Sequence, residues 1–354
     1  MNMKSVVLYE RGKSELREVP VPEIGDSDIL LKVTACGICG SDLHTFYGAL
    51  PPQGRMPLIM GHEFVGIIAK MGSRVSPRWK LGDKVVSENT GGACGVCPAC
   101  SRGDFVNCAH RLCIGCDVDG GFAEYVKIPG SILNIYPNCL YPIPENLSFE
   151  EATMLEPAAN GYKAVIQEGR LHAGESVVVF GVGALGLMSI HMAAIAGATN
   201  IIAVGMSSDK ATRFAIAKQL GATHCLVSDE SENLVDDILH IVGEFGVELV
   251  IDAAGAPIVT KQAIQVTQNE GRIIRIGMSA RNYDGRLDEF AFKSITIRGH
   301  MGYNQESWRN VLSLAKAGRL NLKAVITKVL PLEEFETGFE LMRTQAASKV
   351  VLIP

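Results

Sequence analysis

One turn between a strand and a helix constrains the fold of this chain more than any other feature. Residues 177–180 (Val-Val-Val-Phe) form an apolar run and lead directly into Gly-Val-Gly-Ala-Leu-Gly at 181–186. A stretch compatible with a helix follows over 184–197. In a G-x-G-x-x-G turn, the first glycine permits the tight turn, the second lets a pyrophosphate approach the backbone, and the third lets helix and strand pack closely. The sequence therefore predicts a dinucleotide-binding loop that uses Gly181, Gly183, Ala184, Leu185 and Gly186.

The chain around this turn alternates apolar runs with longer helical stretches. Apolar runs at 201–204, 248–252 and 272–276 and a helical stretch at 209–221 predict βαβ units and a doubly wound parallel sheet of the Rossmann type. Residues 1–155 instead contain short strands separated by Gly and Pro turns, for example at 5–9, 28–33, 63–70 and 84–86, which is typical of a twisted β-barrel. We expect an α/β protein of two domains.

Composition excludes several classes of function. With 354 residues the chain is long for one core, and 47% hydrophobic with 20% charged residues is typical of a globular protein. A net charge of −5 without basic clusters gives no electrostatic basis for binding nucleic acid or an anionic membrane. Neither a signal peptide nor a run of 18 apolar residues is visible, so we expect a cytoplasmic protein. Ten cysteines in a reducing compartment indicate metal binding more often than disulfides.

The end of the second strand of the predicted sheet bears on the choice of dinucleotide. An acidic residue usually stands there and binds the ribose hydroxyls, but this strand ends at Gly205. The nearby Ser207, Ser208, Lys210 and Arg213 could bind a 2′-phosphate, whereas Asp209 is the alternative partner for an unmodified ribose. The pattern favours NADP slightly over NAD.

Four cysteines form a compact cluster in a Gly-rich loop. Cys94, Cys97, Cys100 and Cys108 give the spacing C-x2-C-x2-C-x7-C, which can close a tetrahedron around a structural zinc ion. Metal binding would supply the folding energy of this lobe, residues 91–110. A 4Fe–4S cluster and disulfides are the competing interpretations. Cys113 and Cys116 form a further C-x2-C pair, which we expect to be loop thiols.

The remaining motifs resemble those of one enzyme family. The segments Gly-Ile-Cys39-Gly-Ser-Asp-Leu-His and Gly-His62-Glu63, the four-cysteine lobe, the glycine turn and the ending Ser-Lys349-Val-Val-Leu-Ile-Pro are similar in order and spacing to the zinc-dependent medium-chain alcohol/polyol dehydrogenases. The resemblance covers essentially the whole chain. It implies a GroES-like catalytic domain (1–156 plus 303–354) and a Rossmann nucleotide-binding domain (157–302). It also adds Gly205 and Lys349 to the expected cofactor-binding residues.

The same resemblance implies a catalytic zinc site. Cys39 and His62 would be ligands, and the Glu156-Pro pair resembles the sorbitol and threonine dehydrogenase branch, so Glu63 and Glu156 are both candidates for the third ligand. Such a site leaves a position open for an alcohol, whose pKa the zinc lowers, while hydride passes to the nicotinamide. Exchanging a thiolate for a carboxylate hardens the site and suits oxygen-rich substrates.

A proton path and a ligand-orienting residue are also implied. Ser41 and His44 resemble the family's proton relay, although Ser41 could instead cap the following helix and His44 could simply be exposed. Asp42 resembles a residue that orients His62, with a helix N-terminus as its alternative role.

The substrate is the least constrained part of the prediction. Thr45, Phe46, Phe122 and the candidate catalytic residue Glu156 fall where family members line the pocket. Gly302 replaces an arginine that sorbitol dehydrogenases usually carry before a tyrosine. We expect a secondary alcohol such as a polyol, sugar alcohol or vicinal diol, with threonine-like or sugar-acid and sugar-phosphate alcohols as alternatives. A zinc-free reductase and a non-catalytic zinc and nucleotide binder are the rival classes. The resemblance implies a homodimer or homotetramer. Residues 294–298 are a candidate edge strand for its interface, with an ordinary buried strand as the alternative.

Overall fold

The computed structural model describes residues 1–47, 56–279, 281–286 and 288–354, which form two compact units. Unit 1 comprises Met1–Glu156, Asn304–Gly318 and Ile326–Pro354. Unit 2 comprises Pro157–Tyr303 and Arg319–Val325. Compared with the boundaries expected from the sequence, Tyr303 and the short segment Arg319–Val325 lie in unit 2. No helix in these described ranges has the length and apolar character needed to cross a membrane.

The strands, in chain order, are β1 (Asn2–Glu10), β2 (Lys13–Pro20), β3 (Ile29–Gly37), β4 (Leu58–Ile59), β5 (Glu63–Met71), β6 (Lys84–Ser87), β7 (Thr90–Gly92), β8 (Leu112–Cys113), β9 (Tyr125–Ile128), β10 (Leu140–Pro142), β11 (Ser176–Phe180), β12 (Asn200–Gly205), β13 (His224–Val227), β14 (Val247–Asp252), β15 (Thr267–Arg275), β16 (Thr296–Gly299), β17 (Ile326–Pro331) and β18 (Lys349–Ile353).

The α-helices are α1 (Gly40–Phe46), α2 (Pro98–Ser101), α3 (Gly130–Leu133), α4 (Phe149–Ala152), α5 (Leu155–Tyr162), α6 (Ala184–Ala196), α7 (Arg213–Gln219), α8 (Leu234–Val242), α9 (Pro257–Val266), α10 (Asp288–Phe292), α11 (Gln305–Lys316) and α12 (Phe335–Arg343). A π-helical segment, Lys163–Glu168, continues α5, and short 3₁₀ turns occupy Phe105–Asn107, Pro137–Cys139, Ser207–Asp209, Lys323–Val325 and Leu332–Glu334.

Unit 1 is built on a mixed sheet of order β10-β6-β5-β3-β18-β17, with β9 also pairing with β3. Two smaller sheets, β2-β1-β4 and β7-β8, complete it. β3 and β5 run antiparallel along nearly their whole length, and the buried face of β3 (Ile29, Leu31, Val33) packs into the core. Strand β18, from the end of the chain, lies between β3 and β17. This arrangement places the last residue of β3 beside the first residue of β5, and the candidate metal ligands lie at this point.

Unit 2 contains a parallel sheet of order β13-β12-β11-β14-β15-β16. When the six strands are numbered from β11 in chain order, their order in the sheet is 3-2-1-4-5-6. This is the strand order of a Rossmann dinucleotide-binding fold. β11 is Val-rich and almost fully buried, as expected for a parallel strand covered on both faces. The prediction of a doubly wound parallel sheet is confirmed. The helix expected over 209–221 begins later, at Arg213, because Ser207–Asp209 forms a separate 3₁₀ turn.

Candidate metal and cofactor sites

Three predicted metal ligands converge in unit 1. Gly37, the last residue of β3, pairs with Glu63, the first residue of β5. Cys39 follows β3 by two residues and His62 immediately precedes β5, so the antiparallel register places them side by side. One ligand atom from each of Cys39, His62 and Glu63 lies within 4.8 Å of the others. A thiol, an imidazole and a carboxylate at this separation form a donor set that fits zinc.

Two neighbouring side chains fix His62. Its Nδ1 lies 3.2 Å from Oδ1 of Asp42, whose Oδ2 accepts a 2.8 Å hydrogen bond from the Cys39 backbone N–H. The Asn89 amide donates to the His62 carbonyl at 3.4 Å. Burial would lower the pKa of the imidazole, but Asp42 and Cys39 outweigh it and raise that pKa well above its usual value. Asp42 and Cys39 thus make the surroundings of His62 favourable for a cation, and a metal bound there would take the place of the proton on the imidazole.

Glu63 also forms a fully buried ion pair. The Lys349 ammonium contacts the Glu63 carboxylate and donates to the Ile38 carbonyl at 3.1 Å, with side-chain exposures of 0% for Lys349 and 1% for Glu63. Burial lowers the pKa of Lys349, but the charge of Glu63 reverses this and the net shift is upward. The structure thus places Lys349, which was predicted to bind the cofactor, against a candidate metal ligand.

Glu156 stands apart from this donor group. It lies near the start of α5 and is 8% exposed, and among the described residues the group of mutually close donors contains Cys39, His62 and Glu63 but not Glu156. Its charge acts on Lys349 and on Glu88, a carboxyl at the end of β6 that is only 2% exposed. Burial raises the pKa of Glu88 to about 8. Unit 1 therefore buries four carboxyl groups in this region, those of Asp42, Glu63, Glu88 and Glu156.

The predicted proton relay lies on α1. Cys39 is the N-cap of this helix and Asp42 completes the capping box, so Ser41 does not cap it. Ser41 is half-buried and His44 is exposed, three residues further along. Residues at this spacing share one helix face.

The residues predicted to line a substrate pocket differ in their exposure. Thr45 and Phe46 are half-buried, and the Phe46 ring packs edge-to-face on Phe339 with centroids 5.2 Å apart. Phe122 is fully buried, and a Cβ added at Gly61 would lie 2.6 Å from its ring. Phe122 is therefore a core residue behind Gly61 and not part of an open pocket surface.

The four-cysteine lobe is assembled as a second donor group. The sulfur atoms of Cys94, Cys97, Cys100 and Cys108 all lie within 4.8 Å of one another. Backbone N–H groups point at the sulfurs: that of Cys97 donates to Cys94 at 3.3 Å, and that of Cys94 to Cys108 at 3.3 Å. The hydrogen bond from the Cys100 N–H lowers the pKa of Cys97 to about 6. Four sulfurs held this way fit a closed, structural zinc site.

The second C-x2-C pair differs from the prediction. Cys113 and Cys116, expected to be loop thiols, are joined in a disulfide with a Cα–Cα distance of 5.1 Å. The expectation was wrong because a turn brings the two sulfurs together: the N–H groups of Cys116 and Asp117 both donate to the Cys113 carbonyl. Gly115, inside this turn, lies against the Gly61–His62 peptide, since a Cβ there would come within 2.9 Å of the His62 nitrogen.

The glycine turn of unit 2 has the shape that a pyrophosphate requires. Gly181 has φ +91°, a left-handed conformation that favours glycine. A Cβ at Gly186 would strike the Gly181 carbonyl, whereas a Cβ at Gly183 would meet nothing within 4 Å. Gly183 therefore borders open space at the start of α6, where the helix N-terminus favours an anion. Ala184 and Leu185 follow and are half-buried.

The residues predicted to bind a 2′-phosphate lie beyond β12 but are largely engaged with acidic partners. The Ser207 hydroxyl donates to Asp229, Lys210 pairs with Glu230, and Arg213 pairs with Asp209. Ser208 is exposed beside them.

Two family models match this chain: an alcohol dehydrogenase GroES-like domain over residues 25–138 and a zinc-binding dehydrogenase over residues 184–317. An uncharacterized zinc-type alcohol dehydrogenase-like protein of Escherichia coli is 39% identical over 355 residues, which cover 99% of this chain and 98% of that protein. The chain belongs to the zinc-binding alcohol dehydrogenase family.

Further matches span the whole dehydrogenase. An L-threonine 3-dehydrogenase of Bacillus velezensis is 36% identical, with 99% of each chain covered. The crystal structure of a zinc-binding dehydrogenase from Sinorhizobium meliloti bound to NADP has a TM-score of 0.89 and 30% identity, with 100% of each chain covered. The predicted fold, a GroES-like domain plus a Rossmann domain, is confirmed, as is an NAD(P)-linked oxidoreductase acting on an alcohol group.

Several residues at the candidate metal site were not found from the sequence. Asn89, at φ +59°, contacts the backbone of His62 and accepts a 2.6 Å hydrogen bond from Arg111, and Glu88 is buried beside it. The segment Glu-Asn-Thr-Gly-Gly after β6 carried the only available signal, a polar run at a strand end. Nothing in the sequence indicated that Lys349 pairs with Glu63, 286 positions away.

Proposed function

We propose that this dehydrogenase oxidises a secondary alcohol of a small, oxygen-rich substrate (a polyol, sugar alcohol or vicinal diol) to the ketone. The observation that carries the proposal is the donor set of Cys39, His62 and Glu63, in which a carboxylate stands within 4.8 Å of a thiol and an imidazole. A carboxylate makes the site harder than one with two thiolates, and this favours substrates that present several oxygen atoms. The threonine dehydrogenase relative makes a β-hydroxy amino acid the first alternative substrate.

In this proposal Cys39 and His62 hold the catalytic zinc, with Glu63 or Glu156 as third protein ligand. When bound, zinc acts as a Lewis acid that lowers the pKa of the substrate alcohol, and the nicotinamide accepts the hydride. Asp42 orients the imidazole of His62, and Lys349 holds the Glu63 carboxylate. The half-buried Ser41 passes the released proton to the exposed His44, which exchanges it with solvent.

The second metal and the assembly complete the proposal. Cys94, Cys97, Cys100 and Cys108 bind a structural zinc ion, and the loop over residues 181–186 binds the dinucleotide pyrophosphate. The protein forms a homo-oligomer through β16, which is the edge strand of the parallel sheet, is exposed along its whole length, and carries Ile297 at 40% exposure. An exposed, partly apolar edge strand is a template for pairing with a second copy.

The test combines metal analysis with turnover. Purified protein should contain two zinc ions per chain and reduce NAD⁺ or NADP⁺ with a panel of polyols, 2,3-butanediol and L-threonine. The Cys39→Ala variant should keep one zinc ion and lose turnover, whereas Cys225→Ala, which removes a free thiol in unit 2, should keep two zinc ions and full activity. Unchanged turnover in Cys39→Ala would refute the assignment of the catalytic metal.

A further inference from the structure

The end of β12 has no room for the acidic side chain that usually stands there. A Cβ built on Gly205 would lie 2.8 Å from Oδ2 of Asp209, 2.9 Å from a methyl group of Val182 and 3.0 Å from the Phe214 ring. A side chain at position 205 would therefore displace the Asp209 carboxylate and crowd Val182 and Phe214. The carboxylate of Asp209, four residues further along the chain, fills the space beside Gly205.

Asp209 is held in this position from two sides. Its Oδ2 accepts a 2.8 Å hydrogen bond from the Met206 N–H, which closes the 3₁₀ turn, and its Oδ1 accepts a 3.1 Å hydrogen bond from the Arg213 guanidinium. The residue is only 4% exposed. Each carboxylate oxygen has a second lone pair, so these contacts leave Asp209 able to accept hydrogen bonds from a ribose.

The cations near this turn are paired with acids. Arg213 binds Asp209, and Lys210 binds Glu230. Asp229 accepts hydrogen bonds from both the backbone N–H of Ser207 (2.7 Å) and its hydroxyl (2.6 Å). The segment thus places three carboxylates against two cationic side chains, and a 2′-phosphate would add further negative charge to this excess.

We propose that Asp209 serves as the ribose-binding carboxylate of this enzyme and that the protein prefers NAD⁺ to NADP⁺. This inference rests on the proposed function, because it assumes that the dinucleotide binds at residues 181–186. It reverses the slight preference for NADP that the sequence alone suggested, and it separates this chain from its NADP-bound relative, with which it shares 30% identity. The carboxylate accepts the ribose hydroxyls of NAD⁺ and repels the 2′-phosphate of NADP⁺.

The test measures binding without any alcohol substrate. Zinc-loaded protein is titrated with NADH and with NADPH, and the nicotinamide fluorescence gives each dissociation constant. We expect NADH to bind at least about tenfold more tightly, a difference of about 1.4 kcal/mol. Asp209→Asn keeps an oxygen for the Met206 N–H but removes the charge, so it should reduce the NADPH-to-NADH ratio of dissociation constants by about tenfold or more. Glu244→Gln, an exposed site in unit 2 with the same change of net charge, should leave the ratio unaltered.

Each outcome either supports or overturns the inference. If the unmodified protein binds NADPH as tightly as NADH or more tightly, the preference for NAD⁺ is overturned whatever the variants do. The inference can therefore be tested even if Asp209→Asn fails to fold. An unchanged ratio in a folded Asp209→Asn protein removes Asp209 as the determinant. Failure of the proposed function has a different signature, since then neither dinucleotide binds, or both bind and no alcohol in the panel is oxidised with either one.

Discussion

Replacing Lys349 with methionine should strongly destabilise unit 1. Lys349→Met removes the partner of Glu63 and the donor to the Ile38 carbonyl, at a place where the two charged side chains are 0% and 1% exposed. Breaking a buried ion pair from one side costs about 3 to 5 kcal/mol, because the remaining charge loses its buried partner. The loss of the second hydrogen bond adds about 1 kcal/mol.

An exposed ion pair of unit 1 provides the control variant, and the two tryptophans provide the spectroscopic signal. Lys4 pairs with Glu333 at 2.6 Å, also within unit 1, but the two side chains are 52% and 44% exposed, so solvent screens the pair and Lys4→Met should destabilise unit 1 far less than Lys349→Met. The two tryptophans of the chain, Trp79 and Trp308, both lie in unit 1 and are both buried. Tryptophan fluorescence therefore follows the unfolding of unit 1 alone.

The assay is urea unfolding of the zinc-loaded proteins, with zinc content measured on each sample so that metal loss is not mistaken for loss of the ion pair. With a slope of about 1 to 3 kcal/mol per molar urea, Lys349→Met should lower the midpoint by about 1 M or more. Lys349→Arg, which keeps the charge, should recover much of this loss. If Lys349→Met and Lys4→Met shift the midpoint equally at full zinc content, the buried pair does not stabilise the unit.

Three further predictions concern the glycine turn, the buried carboxylate of Glu168 and the metal lobe. Gly183→Ala should fold normally, because its methyl group enters only the open space beside the turn, but it should weaken NADH binding by about tenfold or more. Gly186→Ala should weaken binding and also lower the thermal unfolding temperature, since its Cβ strikes the Gly181 carbonyl. Burial raises the pKa of Glu168, but the hydrogen bond from His300 and nearby cations outweigh it and hold that pKa below its usual value. A carboxylate whose pKa is lowered by folding stabilises the folded state at pH values above its unfolded-state pKa. This stabilisation is lost as the pH falls through the folded-state pKa. The stability difference between wild type and Glu168→Gln, followed by circular dichroism, should therefore stay constant at pH values above 4.5, the ordinary pKa of a glutamate, and shrink as the pH falls below it. Finally, a zinc chelator should lower the urea midpoint reported by tryptophan fluorescence, and added zinc should restore it, since metal binding contributes folding energy; an unchanged midpoint would argue against a structural metal.

Local patterns in the sequence were enough to predict much of the fold. The apolar run and glycine turn at 177–186 predicted β11, the turn and α6 nearly to the residue, because each depends on neighbours in the chain. The convergence of Cys39 with His62 followed from a family resemblance, and the β3–β5 register gives it a physical basis. The mixed sheet that carries β18 could not be predicted, since its pairing joins segments more than 300 residues apart.

The finer features of the sites depend on tertiary contacts that no local pattern records. Gly205 indicated a missing acid, yet the 3₁₀ turn that returns Asp209 to the same place is visible only in three dimensions. The high pKa of Glu88 comes from its burial in the folded unit, which the polar run in which it stands does not indicate. The Cys113–Cys116 disulfide depends on a backbone turn and not on the C-x2-C spacing alone, which also occurs within the four-cysteine lobe.

The position of β18 has a consequence for the order in which the protein can fold during synthesis. Residues 1–156 leave the ribosome first, but the sheet that carries Glu63 lacks both β17 and β18 until residues 326–353 have been made. Nearly all of unit 2 lies in the continuous stretch Pro157–Tyr303, so it can form while Cys36 and Gly37, at the end of β3, still lack their partners on β18. An unpaired strand edge during synthesis is prone to wrong pairing. Chains truncated before β18 should therefore contain a folded nucleotide-binding unit joined to an aggregation-prone first unit.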